Sequence, residues 1–268
     1  MLMENYLSHH GVKGQRWGVR RYQNKDGTLT SLGKQRRAGT ELVLNSGQTL
    51  TRITTKDDDS IKAGMYYSSN SKQTDVDKYV GLYAHFMKKS GKSIVRQTLQ
   101  INGELVMPTH KKSVSLMRDA LDSLNLRTDS NKQNALRKHF KETDVENASE
   151  EAYFRKGAKE FEDYVRTGNV GDNLYDCLNV DLAFRSSPIM QDIAKSFYST
   201  CDKNGYGIIK DINDSKYGDM NATLPIILTS VGKVKMIDIS DVTDDDIANA
   251  RKRLGKRIVS DWDSNSPI

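Results

Sequence analysis

Residues 49–69 read TLTRITTKDDDSIKAGMYYSS, and this stretch decides the fold class. Residues 49–55 alternate in the manner of a strand rich in β-branched side chains. The charged run at residues 56–60 predicts a loop, and residues 64–69 predict a short second strand. A sheet therefore begins near the start of the folded part of the chain.

Helical patterns fill the middle of the chain, and strand patterns return near its end. Helices are predicted at residues 75–91, 114–124, 131–140, 150–165, 173–184 and 189–201, with a closing helix capped by Thr243. Further strands are predicted at residues 94–101, 206–211, 224–228 and 234–239, and residues 104–107 are expected to return after the Asn102-Gly103 turn. We therefore predict an α+β fold with two small antiparallel or mixed sheets around a helical middle.

Charge divides the chain into two parts. Residues 1–38 carry eight basic and two acidic side chains, which accounts for the whole net charge of +6. Frequent glycines and few apolar residues make this segment unable to fold alone. We predict three regions: an irregular, basic, flexible or docking module at 1–38, an α+β body at 39–258 and a loose tail at 259–268.

Several classes of protein are excluded by composition. No apolar run approaches the roughly 20 residues needed to cross a bilayer, so no membrane partner is expected. The first residues lack the apolar core of a signal peptide, which predicts a cytoplasmic location. Cys177 and Cys201 form no CxxC pair, so neither a disulfide framework nor a bound metal is expected.

Polar residues at strand positions are the candidates for chemistry. Arg52 lies in the middle of a predicted strand, and its guanidinium suits a phosphate or carboxylate; the alternative is an arginine that faces solvent. The second strand ends in hydroxyl-bearing residues that either orient a ligand or cap the next element: Tyr66, Tyr67 and Ser68. Asp211 and Asp214 follow a late strand, where a solvated turn is the alternative.

Taken in this order, the candidates resemble the ADP-ribosyltransferase fold. The resemblance implies NAD as the cofactor, with Arg52 holding its phosphates and ribose. Tyr66, Tyr67 and Ser68 would shape the nicotinamide pocket. Asp211 or Asp214 would replace the family's glutamate and stabilise the positive charge that develops when the glycosidic bond to nicotinamide breaks.

The basic segment carries a second resemblance. HHGVKGQRWGVRRYQNKDGTLTSLGKQRR, residues 9–37, resembles a short module of proteins from tailed phages and prophages of Firmicutes, often virion head or portal-associated proteins. The module implies a phage origin. Its aromatic and basic residues suit either stacking on nucleic-acid bases or docking on a partner protein: Arg16, Trp17, Arg20, Arg21 and Tyr22.

Two functions remain open at this point. The first is a phage-encoded, ADP-ribosyltransferase-like protein that uses NAD to modify a host macromolecule. The second is a non-catalytic phage protein, either a virion component or an inhibitor of host defence, that acts by binding a host or phage protein. Both place the protein in the host bacterial cytoplasm or in a virion.

Overall fold

A computed structural model of the chain describes residues 24, 28–56, 58, 60–89, 91–143, 148–182, 187–212, 214 and 224–265. The described part has the predicted α+β class, and both of its sheets are antiparallel. The strands are β1 (Thr40–Leu44), β2 (Thr49–Thr55), β3 (Tyr66–Ser69), β4 (Ile94–Ile101), β5 (Leu105–Pro108), β6 (Ile208–Lys210), β7 (Pro225–Leu228) and β8 (Val234–Asp241). The smaller sheet pairs β1 with β5, and the larger has the strand order β6-β7-β3-β2-β4-β8.

The helices are α1 (Ser31–Arg37), α2 (Gln73–Lys78), α3 (His85–Lys89), α4 (His110–Ser123), α5 (Ser130–Glu142), α6 (Ala148–Thr167), α7 (Asp172–Asp181), α8 (Pro188–Lys203), α9 (Asp244–Leu254) and α10 (Lys256–Asn265). Helices α4 to α9 pack on one face of the larger sheet, whereas α1 contacts β1 of the smaller sheet. A π-helical segment, Tyr79–Ala84, lies between α2 and α3. Such segments recur at functional sites, and this one contacts both β2 and α9.

Local sequence explains where several helices begin. Thr30 accepts a hydrogen bond from the backbone N–H of Gly33 at 3.1 Å and so starts α1. Thr243 and Asp246 form a reciprocal capping box at the start of α9. Pro188 opens α8 at a position where its missing N–H would have no intrahelical partner.

The apolar core has three clusters, and they identify the two faces of the larger sheet. Leu50 packs in a cluster with Leu105 of the smaller sheet. Ile53 packs instead with Tyr79 and with the apolar face of α9. The third and largest cluster joins helices α4 to α8 to the face of the sheet that carries Ile227. Because side chains alternate along a strand, every residue of β2 can be assigned to one face or the other.

Four details differ from the sequence-based expectation. The larger sheet has six strands and is not small, because strands from both ends of the chain join it. Residues 105–108 do not return along β4 but pair with β1, a strand that the sequence pattern did not predict. The predicted loose tail from residue 259 lies largely within α10, because Arg251 of α9 binds Asp263 there. The basic segment likewise contains the short helix α1 rather than being irregular throughout.

A buried pair of side chains, His139 and Asp181, joins α5 to α7 by a short polar contact. His139 Nε2 lies 2.7 Å from Asp181 Oδ2, and both side chains are only 5% exposed. Removing one partner of such a pair leaves the other buried without its counterpart. We expect Asp181→Ala to lower the free energy of unfolding by about 3 kcal/mol.

Urea denaturation measures this change, and α5 supplies a matched control. Lys138 and Glu142 form an ion pair on the same helix at 3.8 Å, with both side chains more than half exposed. Glu142→Ala should therefore cost less than about 1 kcal/mol. Equal losses in the two variants would contradict the role assigned to the buried pair.

Candidate functional site

The predicted NAD-binding residues lie on adjacent strands but not on one face. Arg52 of β2 is on the same face as Leu50, two residues earlier, and Tyr67 of β3 packs in the cluster that contains Leu50. Ser68 pairs with Thr51, so these two residues share the opposite face. The alternation also places Tyr66 there, where it packs against the helical cluster.

Arg52 is held by two groups on its own face. Its Nη2 donates to Asp58 Oδ2 at 2.8 Å, and its Nη1 donates to Gln97 Oε1 at 3.4 Å. Gln97, directly opposite Arg52 on β4, also donates from Nε2 to the backbone oxygen of Asp58 at 2.6 Å. The fully buried Gln97 side chain therefore fixes both members of the ion pair.

The Arg52 side chain keeps partial access to solvent. It is 15% exposed and Asp58 is 31% exposed, so a ligand could reach the guanidinium if the Asp58 carboxylate moved aside. Partial burial works to raise the pKa of Asp58, but hydrogen bonds from Arg52 and Ser60 and the Arg52 charge lower it overall. Asp58 is therefore ionised at neutral pH and occupies the position that an anionic ligand would take.

Tyr67 completes the group around Arg52. Burial raises the pKa of Tyr67 to about 12, although the nearby Arg52 charge acts in the opposite direction. Its hydroxyl donates to Met65 Sδ at 3.7 Å. Tyr67 is thus a neutral, fully buried phenol beside a cationic side chain, and it supplies no base.

The predicted carboxylates lie with Ser68 on the other face. The Asp211 backbone N–H donates to the Pro225 carbonyl at 3.1 Å, and Pro225 pairs with Ser68. Asp211 and Ser68 therefore share a row that crosses β7, two strand spacings or about 10 Å apart. The Asp214 backbone N–H donates to Asp211 Oδ1 at 3.3 Å, which holds the two aspartates together. All three side chains are buried.

The π-helical segment brings a tyrosine to these carboxylates. Burial raises the pKa of Tyr79 well above its ordinary value, and the charges of Asp214, Asp211 and Asp75 add to the effect. Asp75 of α2 is 1% exposed, so the charges of three buried carboxylates act on the pKa of one phenol. We call Asp75, Tyr79, Asp211 and Asp214 the acidic group.

The same segment connects the acidic group to Arg52. Burial raises the pKa of Tyr83, whereas the charge of Arg52 lowers it. Tyr83 in turn adds to the raised pKa of Tyr79. Arg52 and Asp211 lie in neighbouring rows of cross-strand residues in the larger sheet, but their side chains are on opposite faces. The π-helical segment contacts β2, the strand that carries Arg52.

Sequence reasoning missed the residues that hold the candidates in place. Gln97 and Asp58 were not singled out, although the acidic loop at 56–60 was recognised. Tyr79 was interpreted only as part of the apolar face of a helix. A pairing of β2 with β4 could have identified Gln97, since the residue across from a strand arginine is its nearest partner.

Some predicted residues lie outside the described part of the chain. Arg16, Trp17, Arg20, Arg21 and Tyr22 all lie outside the described residues. Among the described residues, no group of three or more histidines, cysteines, aspartates and glutamates has the geometry to hold a metal ion. Where the structure gives coordinates, no helix combines the length and apolarity that crossing a membrane requires.

The Arg52–Asp58 pair leads to a prediction about anion binding. Asp58→Asn removes the charge that competes with an incoming anion and keeps the size of the side chain. We expect the affinity for inorganic pyrophosphate to rise by about fivefold, as expected for releasing a partly exposed ion pair worth about 1 kcal/mol. Isothermal titration calorimetry on the full chain measures the change.

Asp119→Asn is the matched control for that measurement. Asp119 is an exposed aspartate that pairs with Arg118 of α4 at 3.0 Å, away from β2. The control changes the net charge equally but leaves the Arg52 site intact. If both variants strengthened binding to the same extent, general charge rather than Asp58 would be responsible.

Comparison with known proteins gives one match, and it lies in the basic segment. Residues 2–24 match the model of a family of unknown function (DUF7211). The matched residues do not include any of the larger sheet or the candidate site. No curated protein and no solved structure matches the chain.

Proposed function

We propose that the protein is an ADP-ribosyltransferase-like enzyme of phage origin that binds NAD and modifies a host macromolecule. The observation that carries the proposal is the arrangement of one sheet: Arg52 and Tyr67 lie on β2 and β3, and Asp211 follows β6 in a row with Ser68. A cation for phosphates and carboxylates for a developing positive charge are the two features that cleavage of NAD to nicotinamide requires.

Each part of the arrangement has a chemical role in this proposal. The Arg52 guanidinium binds the diphosphate after displacing the Asp58 carboxylate, and Tyr67, whose side chain is fully buried, shapes the pocket from within the core. Asp211 and Asp214 stabilise the oxocarbenium-like transition state because a buried negative charge near C1′ lowers its energy. Tyr79 remains a neutral phenol, since its pKa is raised, and can donate a hydrogen bond to the sugar.

The phage origin rests on different residues. It is supported by the resemblance of residues 9–37 to a module of phage and prophage proteins, and the catalytic proposal does not depend on it.

Labelled NAD tests the proposal directly. The full-length protein is incubated with NAD carrying a label in its ADP-ribose part and with a bacterial lysate, and both label transfer and nicotinamide release are followed. We expect Asp214→Asn and Asp211→Asn to lower nicotinamide release about 100-fold, the usual effect of removing a group that stabilises transition-state charge. Asp202→Asn, an exposed residue near the end of α8, should leave the rate unchanged.

A wild-type protein that releases no nicotinamide and transfers no label would overturn the enzymatic proposal. The second candidate, a non-catalytic phage protein that binds a partner, is favoured by one observation. The guanidinium of Arg52 is already paired with Asp58, and the carboxylates lie on the opposite face of the sheet. Binding of NAD without turnover would support this alternative.

A further inference from the structure

The π-helical segment Tyr79–Ala84 packs closely against α9. A Cβ atom at Gly81 would lie 3.0 Å from the backbone nitrogen of Arg251 and 3.2 Å from the Cβ atom of Ala250. Tyr79 and Ala250 also belong to the same buried core cluster. Glycine at position 81 therefore allows an approach to α9 that any side chain at this position would hinder.

The side chain of Arg251 adds a polar contact to this packing. Its Nη1 donates a hydrogen bond to the backbone oxygen of Gly81 at 3.2 Å. Its Nη2 donates to Asp263 Oδ2 of α10 at 2.5 Å. Only 18% of the Arg251 side chain is exposed, so both contacts are largely shielded from water. One guanidinium therefore connects the π-helical segment, α9 and α10.

The charge of Arg251 also acts on the residue that follows the segment. Burial lowers the pKa of His85, the first residue of α3, and the charges of Arg251 and Lys89 lower it further. Asp263 and Asp244 act in the opposite direction. His85 is therefore neutral at pH 7 and adds no positive charge that would repel Arg251.

The form of this segment determines where its side chains point. A π-helix closes each turn with an i→i+5 hydrogen bond and an α-helix with an i→i+4 hydrogen bond, so the two forms direct the same side chain differently. The segment lies between α2 and α3, which are α-helical, and the α-helix is therefore the alternative form open to it. A change of form at Gly81 would redirect Tyr79, which lies two residues earlier.

We propose that Arg251 is a positioning residue for the proposed reaction, because it holds the segment in its π-helical form and so keeps Tyr79 in place within the acidic group. Asp263 of α10 contributes by binding the same guanidinium. The expected effect on turnover rests on the proposed function. The link from Arg251 to the segment does not.

Hydrogen exchange of the full-length protein, followed by mass spectrometry, tests the link without any ligand. Arg251→Met removes both hydrogen bonds and keeps an unbranched side chain. It should speed the exchange of backbone amides at residues 79–89 about tenfold, because the bond to the Gly81 carbonyl is lost. Lys252→Met is the matched control, since it removes one positive charge from the next, exposed position of α9. Unchanged exchange at residues 79–89, or an equal rise in the amides of β4, would overturn the proposal.

Turnover distinguishes positioning from a merely structural role. Arg251→Met should lower the rate of nicotinamide release about tenfold, while the dissociation constant of NAD stays within about twofold of the wild-type value because Arg52 is untouched. Asp263→Asn keeps the bond to Gly81, so its effects should have the same direction and be smaller. Faster exchange at residues 79–89 with an unchanged rate of nicotinamide release would refute the positioning role. A wild-type protein that releases no nicotinamide would refute the proposed function instead, and the exchange measurement would still decide whether Arg251 holds the segment.

Discussion

Replacing Arg52 by alanine is expected to weaken NAD binding at least 100-fold and to stop nicotinamide release. If the proposed enzymatic function is correct, the Arg52 guanidinium is the group that binds the diphosphate. Its planar fork can make two charge-assisted hydrogen bonds, each worth about 1.5–3 kcal/mol. Alanine removes both, and because the mostly buried Arg52 side chain also bonds Gln97, circular dichroism checks that the variant still folds.

Two further variants test whether NAD is bound by the guanidinium of Arg52 itself or only attracted by positive charge on this sheet. Arg52→Lys keeps the positive charge but loses the fork, so its affinity for NAD should lie between those of the wild type and Arg52→Ala. Arg96→Ala removes an arginine of the neighbouring strand β4 that pairs with Ile53 and faces the other side of the sheet. If Arg96→Ala weakened NAD binding as much as Arg52→Ala, the site would not be the one proposed. Calorimetry with NAD gives the affinities, and nicotinamide release gives the rates.

The kind of loss, in affinity or in rate, should distinguish Arg52 from the carboxylates of the acidic group. Arg52 variants should raise the dissociation constant of NAD, whereas Asp214→Asn should lower the rate while NAD still binds. A pattern in which both sets of variants change only affinity would favour the non-catalytic alternative. The opposite faces occupied by Arg52 and the acidic group make this comparison the most informative one for the site.

Local pattern predicted the elements of the fold better than their pairing. The alternation at residues 49–55 and the cap at Thr243 depend on neighbouring residues, and both were confirmed. The pairing of β1 with β5 and the insertion of β8 beside β4 depend on residues more than 60 positions and more than 130 positions apart, respectively. No short window of sequence contains that information.

In the candidate site, too, local pattern predicted which residues take part but not how they are arranged in space. Arg52, Ser68 and Asp211 were identified from residue type and strand position, but the pleat decides which face each one occupies. Tyr67 and Ser68 are neighbours in sequence and lie on opposite faces for that reason. Asp58, a partner of Arg52, is only six residues away, but Gln97 was not predictable from local pattern, because it lies on a strand 45 residues further along the chain.

Replacing Asn179 is expected to have the second large effect, on both stability and turnover. This residue of α7 is hydrogen-bonded to the backbone next to Asp211, a member of the acidic group. Its side chain is fully buried in α7. The Asn179 Oδ1 accepts a hydrogen bond from the backbone N–H of Ile212 at 2.9 Å. The Nδ2 donates to the backbone oxygen of Lys210 and to the Tyr175 hydroxyl, both at 3.2 Å. The backbone on both sides of Asp211 is therefore fixed by one amide.

We expect Asn179→Ala to lower the free energy of unfolding by about 3 kcal/mol, because it leaves the buried backbone N–H of Ile212 and the partly buried carbonyl of Lys210 without this partner. Asp211 would also lose its fixed position, so nicotinamide release should fall even in the folded fraction. Asn204→Ala is the matched control: Asn204 is exposed, and its Nδ2 donates to the Thr200 backbone oxygen at 2.8 Å. Urea denaturation measures stability, and turnover is compared well below the unfolding transition. A variant as stable as the control would show that the segment after β6 is held by other contacts, and the link between α7 and Asp211 would then be wrong.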